Sequence, residues 1–449
     1  MAPPETRGIP ARLFARLVDT RGDPAAGFEQ SAREAIPGNF FRAIGATFLV
    51  QLGDVLSGPK ITLAWLLGAV GAPSYLIGLL VPIRESGSML PQFAIAPFVQ
   101  RRRIRKWVWV AGSLAQALAV AGIGCAILLF DGAVAGWLIV VLLCLFSIAR
   151  AFSSIAAKDV LGRTIPKRWR GQTTAWGASA AGLVTLATGL VLALTPTGSG
   201  DIRLYALIVF AAAVLWLLAA AVYAGVHELP DQPAGRHAVS SDALATLRLL
   251  STDPLLRRFV IARCLLLSTA LSAPFYISLA QTGHESTASL LGAFIVASGL
   301  ASLLSSPFWG RFADRSSRKT MSLGAVLASA TGIAVFAIDR VNPTMFEAVW
   351  LLPTLSFCLA IAHQGARIGR KTYVVDMATG NRRTDYVAAS NTAVGLVLLI
   401  AGLLSAAGSV LSTSGVILAL SLLGLAGAWR AYRLPEALAD ELSESHSSG

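Results

Sequence analysis

Charge and sulfur are both scarce in this chain. Of its 449 residues only 14% are charged and 55% are hydrophobic, with a mean hydropathy of +0.66. That composition excludes a water-soluble globular protein, because so few charges cannot cover the surface of a chain this long. Cysteine occurs four times. Cys125, Cys144, Cys264 and Cys358 all fall in apolar runs without C-x-x-C spacing, which argues against disulfides and zinc, and they are expected as buried small hydrophobes. There is no G-x-x-x-x-G-K-[ST] run, no H-E-x-x-H, no G-x-S-x-G and no metal-ligand cluster. No ATP-driven engine, enzyme activity, cofactor or metal is therefore expected. Residues 1–38 lack an apolar core long enough for a cleavable signal peptide.

What the chain has is apolar length. Windows of about 20 residues predict twelve membrane spans. They fall near 40–64, 74–97, 107–130, 135–158, 172–194, 203–226, 257–281, 287–309, 320–338, 346–368, 386–408 and 413–431. The net charge of +13 is distributed by loop. Arg101, Arg102, Arg103, Arg105 and Lys106 share one connection; Arg163, Lys167, Arg168 and Arg170 another; Arg311, Arg315, Arg318 and Lys319 a third; Arg370, Lys371, Arg382 and Arg383 a fourth. The intervening connections carry little beyond Asp131, Asp201, Arg203, Glu285, Asp339 and Arg340. This is the positive-inside pattern. It implies a multi-pass protein of a cell membrane, a bacterial inner membrane being expected, with both termini cytoplasmic. The charge serves topology, so no nucleic-acid partner is expected.

The expected domains are a cytoplasmic N-terminal segment (1–38), a six-helix bundle (39–226), a cytoplasmic linker (227–256), a second six-helix bundle (257–431) and a cytoplasmic tail (432–449). Pro10 to Val18 is either a short interfacial helix or an unstructured tail, and Ser241 to Leu250 suits an amphipathic surface helix. The halves repeat. Leu56-Ser57-Gly58-Pro59 matches Leu271-Ser272-Ala273-Pro274 at an offset of 215, and Gly78 matches Gly292 at 214. At 213, Arg105-Lys106 matches Arg318-Lys319, and Arg150, Lys158, Arg170, Gly182 and Gly189 fall on His363, Lys371, Arg383, Gly395 and Gly402.

After span 8 comes Gly310-Arg311-Phe312-Ala313-Asp314-Arg315-Ser316-Ser317-Arg318-Lys319. It resembles the G-x-x-x-D-R-x-G-R-K signature of the major facilitator superfamily, with Ser317 in place of the usual Gly. Ile165 to Gly171 also looks like that family's connection between its fourth and fifth helices. The resemblance covers roughly residues 39–431. It implies an all-α polytopic fold of twelve transmembrane helices in two six-helix bundles. It also implies secondary transport by alternating access around a midplane site, without a cofactor. Gly310 is expected to let two helices approach closely. Asp314, Arg315, Arg318 and Lys319 are expected to latch the bundles at the cytoplasmic side in the outward-open state. The first-half copy has Pro97 and Arg101 in place of Gly310 and Asp314, so that gate should lean on the second half.

Ionisable residues within spans are costly and each needs a reason. Asp54 on span 1 and Arg84 and Glu85 on span 2 lie about 21 Å from the cytoplasmic ends. Positions 84 and 85 point about 100° apart on a helix, so Asp54 is the expected partner of Arg84. The group is read either as proton-coupling carboxylates or as a structural ion pair. Arg150 on span 4 and His363 on span 10 lie about 15 Å inside. In the family this chain resembles, spans 1, 4, 7 and 10 line the cavity. That implies Asp54, Arg150, Arg263, His363 and Arg367 around one space, with Gln364 beside them. An anionic group clasped by Arg150 and by His363 or Arg367 is then expected, the alternative being snorkelling or gating. His363 titrates near neutral pH and is also a candidate proton carrier.

Lys60 is read as snorkelling outward. Asn39, Gln51, Gln116, Gln281 and Gln364 suit either a hydrated path or interhelical hydrogen bonds. Trp65, Tyr75, Trp107, Trp137, Trp350 and Tyr432 read as an interfacial belt. Span 5 has no proline between Gln172 and Leu194, so it lacks the signature of this superfamily's drug–proton antiporters.

The leading reading is therefore a monomeric secondary transporter of a small, anionic organic solute, coupled to protons, with the lipid bilayer as its surroundings. The alternatives are an exporter of hydrophobic or amphipathic compounds, and a membrane receptor or assembly factor on the same scaffold.

Overall fold

The computed structural model describes residues 13–14, 29–195, 201–230, 249–283, 287–377 and 382–436. Pro10 to Val18 (apart from Leu13 and Phe14), Ser241 to Arg248 and the acidic tail beyond Glu436 lie outside the described residues.

The helices fall at the twelve expected spans, nine stretches among the described residues being long and apolar enough to cross a membrane, and no strand occurs among the described residues. The segments keep the numbers of the expected spans. Nine are single helices: span 3 (Lys106–Leu129), span 4 (Gly132–Thr164), span 5 (Lys167–Leu194), span 6 (Ile202–Ala224), span 8 (Ala288–Arg315), span 9 (Ser317–Val341), span 10 (Leu351–Asp376), span 11 (Arg382–Leu411) and span 12 (Thr413–Tyr432). Three are broken. Span 1 runs Gln30–Leu56 and Thr62–Ala69, span 2 runs Tyr75–Met89 and Gln92–Gln100, and span 7 runs Pro254–Leu265, Ser268–Leu271 and Ala273–Gly283.

The break in span 1 and the second break in span 7 follow from the repeated tetrapeptide. Pro59 lacks an amide hydrogen, so a helix through it would leave a carbonyl unbonded in an apolar medium. Hydroxyls take over: Ser57 Oγ donates to the Gly53 carbonyl at 2.7 Å and Thr62 Oγ1 to the Val55 carbonyl at 3.0 Å. Pro274 interrupts span 7 at the matching place, and Ser272 Oγ donates to the Thr269 carbonyl at 3.4 Å.

The halves share one packing plan. Span 3 packs on spans 4 and 6 as span 9 packs on 10 and 12; span 1 packs on 5 and 6 as span 7 packs on 11 and 12; span 2 packs on 4 as span 8 packs on 10. Three seams join the halves: spans 2 and 11, spans 5 and 8, and span 7 with both the outer piece of span 1 and span 2. The matched glycines explain two of them. A Cβ added to Gly292 would stand 2.3 Å from the Ala193 amide nitrogen, and one on Gly78 would stand 2.8 Å from Ala406. In both seams it is the missing side chain that lets two helices from different halves touch.

The outward faces are apolar, with Leu118, Leu194 and Leu404 among the most exposed side chains. Cys125, Cys144 and Cys358 are exposed too, against the expectation of burial. Lipid is as apolar as a protein core, so a small hydrophobe gains little by facing inward. Trp65 also departs from expectation. It is fully buried, edge-on to Tyr205, whereas Trp107, Trp137, Trp350 and Tyr432 are exposed.

Candidate functional site

The motif that carried the resemblance lies on a helix rather than a loop. Gly310 to Arg315 form the last turns of span 8, Ser316 is the only break, and span 9 starts at Ser317. Ser316 Oγ caps span 9 by accepting from the Lys319 amide. A Cβ added to Gly310 would meet nothing within 4 Å, so this glycine mediates no close helix approach in this state. Asp314 is exposed and makes no ion pair among the described residues.

Arg318 is held instead by the chain end. Its Nε donates to Glu436 Oε1 at 2.6 Å and its Nη1 to the carbonyls of Tyr432 and Leu434 at 2.9 and 3.0 Å. Burial raises the Glu436 carboxyl. The hydrogen bonds from Arg318 and Ser316, with the charges of Arg318 and Lys319, outweigh it and hold the group below the usual carboxylate range. The first half has a related clasp made by backbone amides. Glu228, just after span 6, accepts from the amides of Arg105 and Lys106 at the start of span 3. An acid shortly past the last helix of each half was the available signal.

Deep in the first half, Asp54 sits between two guanidinium groups. Arg84 Nη2 donates to Oδ1 at 2.9 Å and Arg150 Nη2 to Oδ2 at 2.7 Å. Phe146 stacks under Arg84 and Trp216 under Arg150, at 4.6 and 5.2 Å from the ring centroids. This triad satisfies its own charges within one half. Arg150 lines a groove of about 310 Å³ inside the first half, not the space shared with His363 and Arg367.

The shared space is a cavity of about 450 Å³ lined from spans 1, 2, 4, 7, 10 and 11. Lys60, Lys158, Arg263, Arg367, Arg370 and Lys371 line it, with His363, and Glu85 is the one carboxylate among its described lining residues. Arg263 is tied to span 11, donating to Ser390 Oγ at 2.5 Å and Asn391 Oδ1 at 2.8 Å. Arg367, Arg370, Lys371 and Lys158 make no hydrogen bond or ion pair among the described residues, and the Glu85 carboxylate makes none either. Lys158, Arg367 and Lys371 are exposed, so the cavity opens at the end carrying the basic loops. The other end is closed by the three seams, and there Gln281 Nε2 on span 7 donates to the Trp65 carbonyl on span 1 at 2.8 Å.

Sequence reasoning missed Lys60. It does not snorkel outward; its Nζ lies 3.1 Å from His363 Nε2, on the opposite half. Pro59 was the signal, since the break it makes turns Lys60 inward. Gln364 stays within its half, reaching Ser302 and Ser306 on span 8. Asn39 bonds His227, Gln116 bonds Ser153 and Gln281 bonds Trp65, so these amides hold elements together.

Comparisons with known proteins agree with this geometry. The family model described as Major Facilitator Superfamily matches residues 265–447. No curated protein matches the chain in sequence. Among solved structures, a D-xylose–proton symporter is 15% identical, with a TM-score of 0.63 over 90% of this chain and 99% of that one. A POT family transporter in complex with 5-aminolevulinic acid is 13% identical, with a TM-score of 0.63 over 86% of this chain and 95% of that one. The xylose transporter from E. coli in its inward-open conformation is 14% identical, with a TM-score of 0.61 over 91% and 98%. At these identities the structures speak for the fold, and the family model for the second half. The second half is thus similar to the major facilitator superfamily, and the chain as a whole shares the all-α, multi-pass fold of the solved transporters.

Proposed function

We propose that this protein is a secondary transporter of the major facilitator superfamily that carries a small organic anion by alternating access and couples the movement to protons. One observation carries the reading. The cavity between the halves gathers six cationic side chains around a single carboxylate, and four of those cations have no partner among the described residues. Unpaired cations in a confined space repel each other and remain costly until an anion enters. Arg367, Arg370 and Lys371 from span 10 face Lys158 from span 4, so an anion there contacts both halves. That is the requirement for a substrate that drives their rocking. Arg150, bound to Asp54, is a brace in this reading and not the clasp expected from the sequence. Arg263 positions span 11, and His363 and Glu85 are the groups that exchange protons. The basic end is the cytoplasmic one, by the distribution of Lys and Arg, so the state described here opens inward.

The test is counterflow in proteoliposomes loaded with unlabelled citrate, inorganic phosphate or sulfate. Labelled anion should exchange, and an inside-alkaline gradient should drive net accumulation. Flux indifferent to the gradient would remove proton coupling, and no flux of any of these anions would remove the anionic reading.

A further inference from the structure

One contact joins the halves through two titratable groups. Lys60 lies in the break of span 1, and its Nζ is 3.1 Å from Nε2 of His363 on span 10. The other ring nitrogen, Nδ1, is 3.0 Å from Thr269 Oγ1. Thr269 has one hydroxyl proton and donates it to the Leu266 carbonyl at 2.9 Å. Assigning that proton to Leu266 makes the oxygen an acceptor for Nδ1–H of His363, the tautomer that leaves a lone pair on Nε2 for the lysine. In that tautomer the ring is neutral, and the pair holds a single positive charge between two basic groups. Thr269 lies in the short middle piece of span 7, so the contact ties together the broken parts of both pseudo-equivalent helices.

A second proton has no acceptor there. From span 2, Glu85 faces the cavity; from span 7, Arg263; and from the histidine's own helix, Arg367 and Arg370. Span 8 brings Ser298 and Ser302, span 11 brings Asn391, and span 9 lines neither this cavity nor the smaller one beside it. Glu85 is the only opposing charge among these residues and is outnumbered. With Nε2 protonated, two cations would stand in hydrogen-bond contact with no lone pair between them, and the repulsion acts along the line joining the halves.

We propose that Lys60 and His363 form a proton-operated latch for the end opposite the basic loops: neutral His363 holds that end shut, and a proton on it lets the halves part there. This rests on the alternating-access reading but not on the substrate being an anion. It assigns a sign to the coupling. Acid on the less basic side opens the transporter to that side, and loss of the proton allows it to close again. Lys60 acts here as a positioning residue, since it turns protonation of the ring into separation of the halves.

The test uses full-length protein with the four native cysteines replaced by Ala and spin labels introduced by Asp131→Cys and Thr344→Cys, exposed positions at the closed end of the two halves. Reconstituted in vesicles without substrate, the longer-distance population should grow as pH falls from 8 to 5. For one linked proton the open-to-closed ratio changes by at most about tenfold per pH unit. His363→Gln, which can still accept from Lys60 but cannot ionise, should stay closed at every pH. Lys60→Met should abolish the pH response although His363 can still titrate, which a histidine acting alone would not predict. A wild-type distribution unmoved by pH, or a full response in Lys60→Met, overturns the latch. Equilibrium binding of citrate and inorganic phosphate at fixed pH separates the two proposals. A pH response without anion binding leaves the latch and removes the anionic reading; anion binding without a pH response does the reverse.

Discussion

The two halves treat their buried cations in opposite ways. In the first, Arg84 and Arg150 close on Asp54 and lean on Phe146 and Trp216, so their charge is spent within the half. In the second, Arg367, Arg370 and Lys371 stand along one helix facing the cavity, with no acid on that half to meet them among the described lining residues. Arg150 and His363 occupy matching repeat positions and still diverge, one as a brace and one as a cross-half contact. A repeated fold thus fixes where side chains stand, while local partners decide what each does.

Breaking the brace should have the largest effect. Asp54→Asn leaves two guanidinium groups facing each other without a carboxylate. Loss of one member of a buried pair costs about 3–5 kcal/mol; the lower end applies here, because Asp54 is 26% exposed. Thermal unfolding in detergent should show that loss, and Asp54→Asn with Arg150→Met should recover part of it. Equal stability in all three proteins would mean the triad braces nothing.

Removing a cavity cation should act on binding and spare the fold. Arg370→Gln is expected to weaken binding of the transported anion about tenfold, one charge-assisted hydrogen bond being worth about 1.5 kcal/mol or more. Its melting temperature should not fall, since a repelling charge has gone.

The seams can be probed by filling one. Gly292→Val places methyl groups where Ala193 already stands, and should shift the population away from the closed end described here, as distances between labels at that end would report. Asp314→Asn tests the motif. If the acid latches the basic end in the alternate state, the substitution should increase the share of molecules open at the basic end, and an unchanged share would remove that role.

The smallest effect is expected at the chain end. Glu436→Gln removes a partly exposed ion pair, worth at most about 1 kcal/mol. The Glu436 carboxyl lies below its ordinary range, so the clasp on Arg318 contributes above the unfolded carboxylate range and is lost as pH falls through the lowered value. Mobility of the Tyr432 to Glu436 segment by hydrogen exchange should rise in acid in the wild type and be high at all pH values in Glu436→Gln.

Most of the fold was legible because lipid imposes a simple rule: every backbone group must be bonded within its helix, so apolar length announces a span. The matched Gly78 and Gly292 marked a repeat in the sequence, but only the packing shows why glycine stands there. Trp65 misled, since an aromatic near a span end reads as interfacial, and nothing local says that Tyr205 of span 6 packs edge-on against it. The site was half legible. Each ionisable residue within a span could be named, and the pairing of Asp54 with Arg84 followed from helix geometry. That Arg150 joins them, and that Lys60 turns inward to His363, depend on contacts made 96 and 303 residues apart, which no local spacing encodes.

The most direct measurement is equilibrium binding of labelled citrate, phosphate and sulfate to the wild type, to Arg367→Gln/Arg370→Gln, and to Arg150→Gln at neutral pH. The account predicts that the anion bound by the wild type loses about a hundredfold in affinity when both span 10 cations are removed, taking about tenfold for each, and only a small factor in Arg150→Gln. Unchanged affinity in the double variant, or a greater loss in Arg150→Gln, would contradict it.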